Sequence, residues 1–294
     1  MNKEDLTAII VVPVATAIGA MLALTGSIHG HAIDRVPLMA ACVMAIFGLQ
    51  WIAFVPAYIF RTEKFYDITG SVTYISAVVA ALAITPVIDA RSVLIAACIC
   101  IWAARLGFFL FLRILRAGED SRFANVRGRF FRFLMAWTLQ GLWVTFSLAA
   151  GLAAITSIHK KPIDALAIAG FSLWVLGFGI EAIADAQKNA FRKHAANKGK
   201  FISTGLWSWS RHPNYFGEII VWTGIALIAL PVLSGWQYAT LASPFMVTLL
   251  LTRVSGIPLL EEAADKKWGG KPDYEAYKKS TSVLVLLPPR RFSP

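Results

Sequence analysis

Long apolar runs alternate with short polar connections along the whole chain. Eight runs stand out, at 7–27, 36–60, 67–88, 92–115, 132–157, 162–187, 214–232 and 236–253. A helix crosses the hydrocarbon core of a bilayer in about 20 residues, and most of these runs reach that length. Backbone groups in lipid must be satisfied within their own segment, so each run is read as a helix. The last two are shorter, with Pro231 and Gly235 between them, which fits either a tight hairpin or one broken helix. The pattern predicts an all-α fold: a polytopic membrane helix bundle of seven or eight transmembrane helices forming a single domain, 1–294. No cleavable leader is expected, because the apolar run after the short polar start is long enough to span.

Composition agrees. Hydrophobic residues make up 57% of the chain and charged ones 15%, with a mean hydropathy of +0.63. Soluble domains are usually about 25% charged. Lys3, Arg61 and Lys64 fall on one side of the predicted bundle. So do Arg113, Arg116, Arg122, Arg127, Arg129 and Arg132, then Lys188, Arg192, Lys193, Lys198, Lys200 and Arg211. The tail adds Arg253, Lys266, Lys267, Lys271, Lys278, Lys279, Arg290 and Arg291, leaving only Arg35, Arg91, Lys160 and Lys161 opposite. Basic residues favour the cytoplasmic side, so both termini are placed in the cytoplasm. The net charge of +11 is therefore read as topology and contact with anionic membrane lipids. Nucleic acid is not an expected partner, since no basic and aromatic interleaving suited to base stacking occurs. Cys42, Cys98 and Cys100 lie in apolar runs, and no HExxH or CxxC occurs, so no metal is expected.

Against this background, polar side chains within or beside the spans are candidate chemistry. Arg105 lies inside the fourth run. Glu181 and Asp185, four residues apart, share a face of the sixth helix, with Arg192 further along. Carboxylates accept from ribose hydroxyls, and arginine holds phosphate with a planar fork. The arginine-rich connection 113–132 is read either as a solvated topogenic loop or as a cationic wall for a phosphorylated cofactor. The densest polar stretch is TGLWSWSRHPNYFGE, from Thr204 to Glu218. Pro213 and Asn214 mark a helix start there, and Arg211, with His212 beside it, joins the free N–H groups of that start in attracting an anion. Trp207 and Trp209 are read as an interfacial aromatic belt. In the tail, LLEEAADKKW is a short amphipathic helix, and Tyr274 and Tyr277 either plug the mouth of a cavity or anchor the tail.

The stretch GLWSWSRHPNYFGEIIVWTGIAL resembles the C-terminal membrane domain of the steroid 5-alpha-reductase family, in particular its bacterial branch. FYDITGSVTYI at 65–75 and RLGFFLFLRI at 105–114 extend the resemblance over most of the chain. Sterol reductases and isoprenylcysteine carboxyl methyltransferases carry related R-H-P-x-Y-x-G motifs. The resemblance implies a helix bundle with a cytoplasm-facing cofactor cavity, built from about 100–294. It would take NADPH from the cytoplasm and an enone lipid from the bilayer. The implied cofactor contacts fall on Arg105, Asp185, Arg192, Asn214, Glu218 and Arg253, with Glu181 where steroid reductases have an asparagine. Gln50, Trp51 and Trp102 occupy the positions facing the substrate. Trp51 and Trp102 replace the glutamate and tyrosine that hold a steroid ketone, which points away from a steroid. Tyr215, Glu218 and Tyr74 are the catalytic candidates, and Asp67 is a further possible acid. Two other readings stand beside this one. The first is an S-adenosylmethionine-dependent methyltransferase, favoured by Glu261-Glu262; the second is a non-catalytic lipid-binding protein.

Overall fold

The computed structural model describes residues 3–120 and 123–289. Arg122, Arg290 and Arg291 lie outside them. The chain is helical almost throughout, and eight helical stretches among the described residues are long and apolar enough to cross a membrane. The first six runs form α1 (Lys3–Gly26), α2 (Leu38–Ile59), α3 (Tyr66–Ile84), α4 (Ala90–Ala117), α5 (Phe130–Thr156) and α6 (Ala165–Lys193). A minimal antiparallel hairpin, Ala32–Ile33 with Val36–Pro37, joins α1 to α2.

The seventh and eighth runs are separate elements. α7 (Pro213–Ala229) ends in a 3-10 turn at Leu230–Val232. Ser234 then caps the next turn reciprocally with Gln237, and Gly235 supplies the positive φ of +54° that the corner requires. The eighth run is irregular. A 3-10 segment, Gly235–Leu241, passes into α8 (Ala242–Leu249) and then a π turn at Leu250–Val254. After a break at Ser255 and Gly256 come α9 (Ile257–Trp268) and α10 (Pro272–Ser280).

The helices form two compact units interleaved in sequence. Met1–Ile168 and Ile225–Ser243 make the first; Ala169–Gly224 and Pro244–Pro294 make the second. The first is built around α5, in which every residue from Ser147 to Thr156 is buried. That segment reads SLAAGLAAIT. Small residues let neighbouring helices approach closely, which is how helices pack in lipid. Ile95 and Ile99 of α4 fill the space over Gly151. Arg91 is also structural. It is 1% exposed, donates to Ile228 O at 2.6 Å and Pro162 O at 2.7 Å, and pairs with Asp164 at 3.0 Å. Lys160 likewise donates inward, to Ile155 O at 2.8 Å.

The connection between α4 and α5 is docked on its own unit. Phe123 enters an aromatic cluster with Phe54, Phe133 and Trp137. Buried Glu63 accepts from the Asp120 N–H at 2.9 Å and pairs with Arg127 at 3.2 Å. Arg132 pairs with Glu4 and Asp5, and Arg113 lies 3.6 Å from Asp67. Three arginines of this connection are thus matched to carboxylates. Glu63→Ala removes the acceptor that holds the loop. A hydrogen bond to a charged group contributes about 1.5 kcal/mol or more, so tryptic cleavage at Arg127 and Arg129 is expected to quicken roughly tenfold. Unchanged cleavage kinetics would mean that the aromatic cluster alone holds the loop.

In the second unit, α6 and α7 meet through glycines. A Cβ on Gly177 would lie 2.6 Å from Gly217 O, and one on Gly217 would lie 2.6 Å from Gly177 O and 2.7 Å from the Glu181 nitrogen. Two turns further, a Cβ on Gly224 would meet Gly170 O at 2.6 Å. Backbone therefore touches backbone, and the start of α7 is pinned against the turn of α6 that carries Glu181.

Candidate functional site

The Thr204–Glu218 stretch is held from three directions, all within the second unit. From α6, Gln187 accepts from the Leu206 N–H at 2.9 Å, and its amide lies so close to Gly205 (φ +62°) that a Cβ there would clash with it. Trp207 donates its indole N–H to Ala184 O at 3.0 Å. At 3% exposure it belongs to the interior and not to an interfacial belt, whereas Trp209 is 45% exposed. From α10, Tyr277 donates to Trp207 O at 2.7 Å. From the tail, Ser282 O accepts from the Arg211 N–H at 2.8 Å, Leu284 O accepts from Ser210 Oγ at 2.7 Å, and Leu287 donates to Trp209 O at 3.2 Å.

These contacts deliver Arg211 and His212 to Glu261 of α9. His212 Nε2 is 2.8 Å from Glu261 Oε1, and Arg211 Nη1 is 2.6 Å from Oε2. The second contact is an ion pair whose angle is not that of a hydrogen bond. The His212 ring is 5% exposed and stacks on Tyr215 at 5.7 Å and 10°. Burial holds the His212 pKa below its ordinary value against the opposing pull of Glu261, with Lys188 and Arg211 lowering it further. Desolvation keeps the phenols of Tyr274 and Tyr277 protonated well above their usual range.

Beside this trio lies a half-open cavity of about 270 Å³. Its walls are aromatic, with Phe191, Phe201, Trp207, Trp268, Tyr274 and Tyr277. Its rim is basic, with Lys188, Arg192, Lys200, Arg211 and Lys267. Phe201 anchors the wall, its ring 5.2 Å from that of Tyr274 and 5.3 Å from that of Tyr277. Lys188 sits 4.2 Å over the Trp207 ring. Flat apolar faces and fixed cations together suit a planar, anionic ligand.

Of the cofactor candidates, Arg192, Arg211 and His212 line this cavity, and Tyr215 stacks beneath His212. Glu181 is 2% exposed and Asp185 is also buried, about three and two turns of α6 before Arg192. Asn214 and Glu218 occupy the first turns of α7, half-buried. Arg253 is exposed, in the π turn before Gly256, whose backbone abuts the Tyr215 ring. The remaining candidates belong to the first unit. There Tyr74 and Trp102 meet edge to face at 5.2 Å, and fully buried Gln50 donates to Thr73 Oγ1 at 2.9 Å. Trp51 donates to Thr138 Oγ1 at 3.0 Å, and Arg105 is half-buried on α4. The cavity also draws on Lys200, Lys267 and Trp268, which charge counting had treated as topogenic or not treated at all.

The sequence profile of the DUF1295 family, described as a protein of unknown function, matches residues 53–281. The chain belongs to this family. It is the steroid 5-alpha-reductase-like family. The chain is 30% identical to a 3-oxo-5-alpha-steroid 4-dehydrogenase 1 of Rattus norvegicus over 118 residues, 40% of each chain. The Bos taurus counterpart is 31% identical over the same length, again 40% of each. A probable O-methyltransferase of Ustilaginoidea virens is 29% identical over 143 residues, which is 41% of this chain and 50% of that protein. The chain thus spans half or less of the length of these curated relatives. No solved structure matches it.

Proposed function

We propose that the chain is a membrane-embedded reductase that uses NADPH to saturate a conjugated carbon–carbon double bond in a lipid. The observation that carries this reading is the aromatic, five-cation cavity formed around the family's signature stretch. Bound there, NADPH would supply a hydride to the electron-poor carbon of an enone. Lys188, Arg192, Lys200, Arg211 and Lys267 hold its phosphates, and Glu181 and Asp185 accept from ribose hydroxyls. Asn214, Glu218, Arg253 and Arg105 complete the cofactor contacts. Gln50, Trp51 and Trp102 contact the lipid, which arrives from the bilayer. Tyr215 or Tyr74 would protonate the enolate and so complete reduction of the double bond, since a phenol can donate a hydrogen bond first and the proton afterwards. The distribution of basic residues supports cytoplasmic termini in a bacterial inner membrane, with the cavity open to cytosolic cofactor.

A second reading has its own support. The Arg211–Glu261–His212 assembly and the likeness to a probable O-methyltransferase favour a methyltransferase that takes S-adenosylmethionine. Thermal unfolding in mild detergent separates the two. Saturating NADPH is expected to raise the midpoint by about 5 °C. Asn214→Ala is expected to remove most of that shift. A shift with S-adenosylmethionine alone would transfer the function to methyl transfer. No shift with either, or with NADH, would leave a lipid-binding protein without a nucleotide.

A further inference from the structure

A second lobe of about 360 Å³ opens beside the cavity described above, within the same unit. The two share Phe191, Lys200, Phe201, Trp268 and Tyr277. Two turns of one kind border the second lobe. In Asn197–Lys200 the backbone runs through Lys198 (φ −58°, ψ 125°) and Gly199 (φ +82°), and the Lys200 N–H donates to Asn197 O at 3.0 Å. In Trp268–Lys271 it runs through Gly269 (φ −51°, ψ 140°) and Gly270 (φ +79°), and the Lys271 N–H donates to Trp268 O at 3.1 Å. Both are type II turns, whose third residue needs a positive φ and so a glycine. The turns are tied together, because Trp268 donates its indole N–H to Gly199 O at 2.6 Å. Each ends on a lysine that lines the lobe.

These two lysines differ from the other cations of the site. Arg211 is paired with Glu261, Lys188 lies over the Trp207 ring, and Lys267 sits 4.7 Å over that of Trp268. Lys200 and Lys271 are exposed, and their ammonium groups form no ion pair among the described residues. Asp273 lines the lobe as well, and its Oδ1 accepts from the Tyr274 N–H at 2.9 Å. One carboxylate against two ammonium groups leaves the lobe cationic. We propose that Lys200 and Lys271 bind the ribose 2′-phosphate of NADPH in this second lobe, and that they set its preference over NADH. The inference rests on the NADPH reading of the first lobe. Pockets for drug-sized ligands measure about 300–1,000 Å³, so the first lobe alone is small for a dinucleotide. An adenine against the shared aromatic wall would put its ribose beside the second lobe. A phosphate monoester brings three acceptor oxygens and a charge of about −1.5 to −2 at neutral pH, which suits two uncommitted ammonium groups. The 2′-hydroxyl of NADH brings no charge.

The test is calorimetric titration of the full chain in mild detergent with two ligand pairs. One pair is NADPH and NADH; the other is adenosine 2′,5′-bisphosphate and adenosine 5′-monophosphate, which lack nicotinamide. The wild-type chain is expected to bind the 2′-phosphorylated member of each pair at least about tenfold more tightly, by a margin that shrinks as salt is raised. Lys200→Met and Lys271→Met should each weaken that member about tenfold. Both should leave NADH and the monophosphate unchanged, which also reports that the variants are folded. Lys198→Met changes an exposed lysine of the first turn that lines neither lobe, and it should bind all four ligands as the wild type does. Three results overturn the inference and leave the nucleotide reading standing: equal binding within each pair by the wild type, discrimination that survives the double substitution, or an equal loss for both members of a pair. The first of these needs no variant to fold. Failure of all four ligands to bind the wild type overturns the reading and the inference together.

Discussion

Gly217→Val is expected to dismantle the α6–α7 contact. The new Cβ would lie 2.6 Å from Gly177 O and 2.7 Å from the Glu181 nitrogen, and neither can give way, because both belong to the backbone of a helix. Overpacking of a well-packed site costs 1–3 kcal/mol, and more where backbone must move. We expect a loss of about 3 kcal/mol or more, a fall in the thermal midpoint of roughly 6–12 °C for a chain of this size. Binding should suffer beyond stability, because Gly217 fixes the first turn of α7, which carries Asn214, Tyr215 and Glu218, against α6. Gly179→Ala is the control. It changes a glycine of α6, two residues from Gly177, but a Cβ there meets nothing within 4 Å. With the higher helix propensity of alanine, that variant should be neutral or more stable by up to about 1 kcal/mol. Equal melting of the two variants would show that the close approach is not what holds the helices together.

The second large effect concerns Arg91. Sequence alone places it among the few basic residues on the non-cytoplasmic side, a charge relevant to topology. Its geometry says otherwise. The guanidinium is enclosed by Ile228 O, Pro162 O and Asp164, and it closes the end of α7 onto the loop before α6. Arg91→Met fills much of the volume but leaves three carbonyls, of Ile228, Pro162 and Lys161, and a carboxylate without their donor. Removing one partner from such a buried group costs about 3–5 kcal/mol. Arg35→Ala, at an exposed position, should cost nearly nothing. Orientation in the membrane, read by labelling introduced cysteines from either side, should stay the same in both variants while only Arg91→Met melts early. An inverted or mixed orientation for Arg91→Met would restore the topogenic role.

The fold was largely legible because the bilayer imposes one rule on every segment. Eight runs become eight helical stretches, and ends such as Thr85 before Pro86 follow from proline's effect on its predecessor. What hydropathy could not show was the conformation inside the last run. There, 3-10, α and π geometry succeed one another within one mainly apolar run, and length alone reads it as one helix. The site was legible in part. Arg211 and His212 announced themselves as charge at a helix start. Their partner Glu261 is 49 residues from His212, on an amphipathic helix whose acidic pair looks like any solvated face. Trp207 was misread because composition cannot tell an indole that anchors at an interface from one whose N–H finds Ala184 O. The arginine-rich connection stayed ambiguous for a related reason. Counting cations ignores the carboxylates waiting for them at Glu63, Asp67, Glu4 and Asp5.

The tail contacts at Ser282, Leu284 and Leu287 bear on the order in which the protein is made. Ribosomes deliver α6 and the Arg-His-Pro segment well before α9, α10 and residues 282–287. The cavity therefore gains Glu261, Trp268 and both tyrosines late, and the segment that backs it is complete only when synthesis has passed residue 287. Membrane insertion cannot be guided by cofactor, and a nascent chain stalled short of that point carries its signature motif without the wall that gives it meaning. Quality control that senses ligand occupancy would act only on the finished chain.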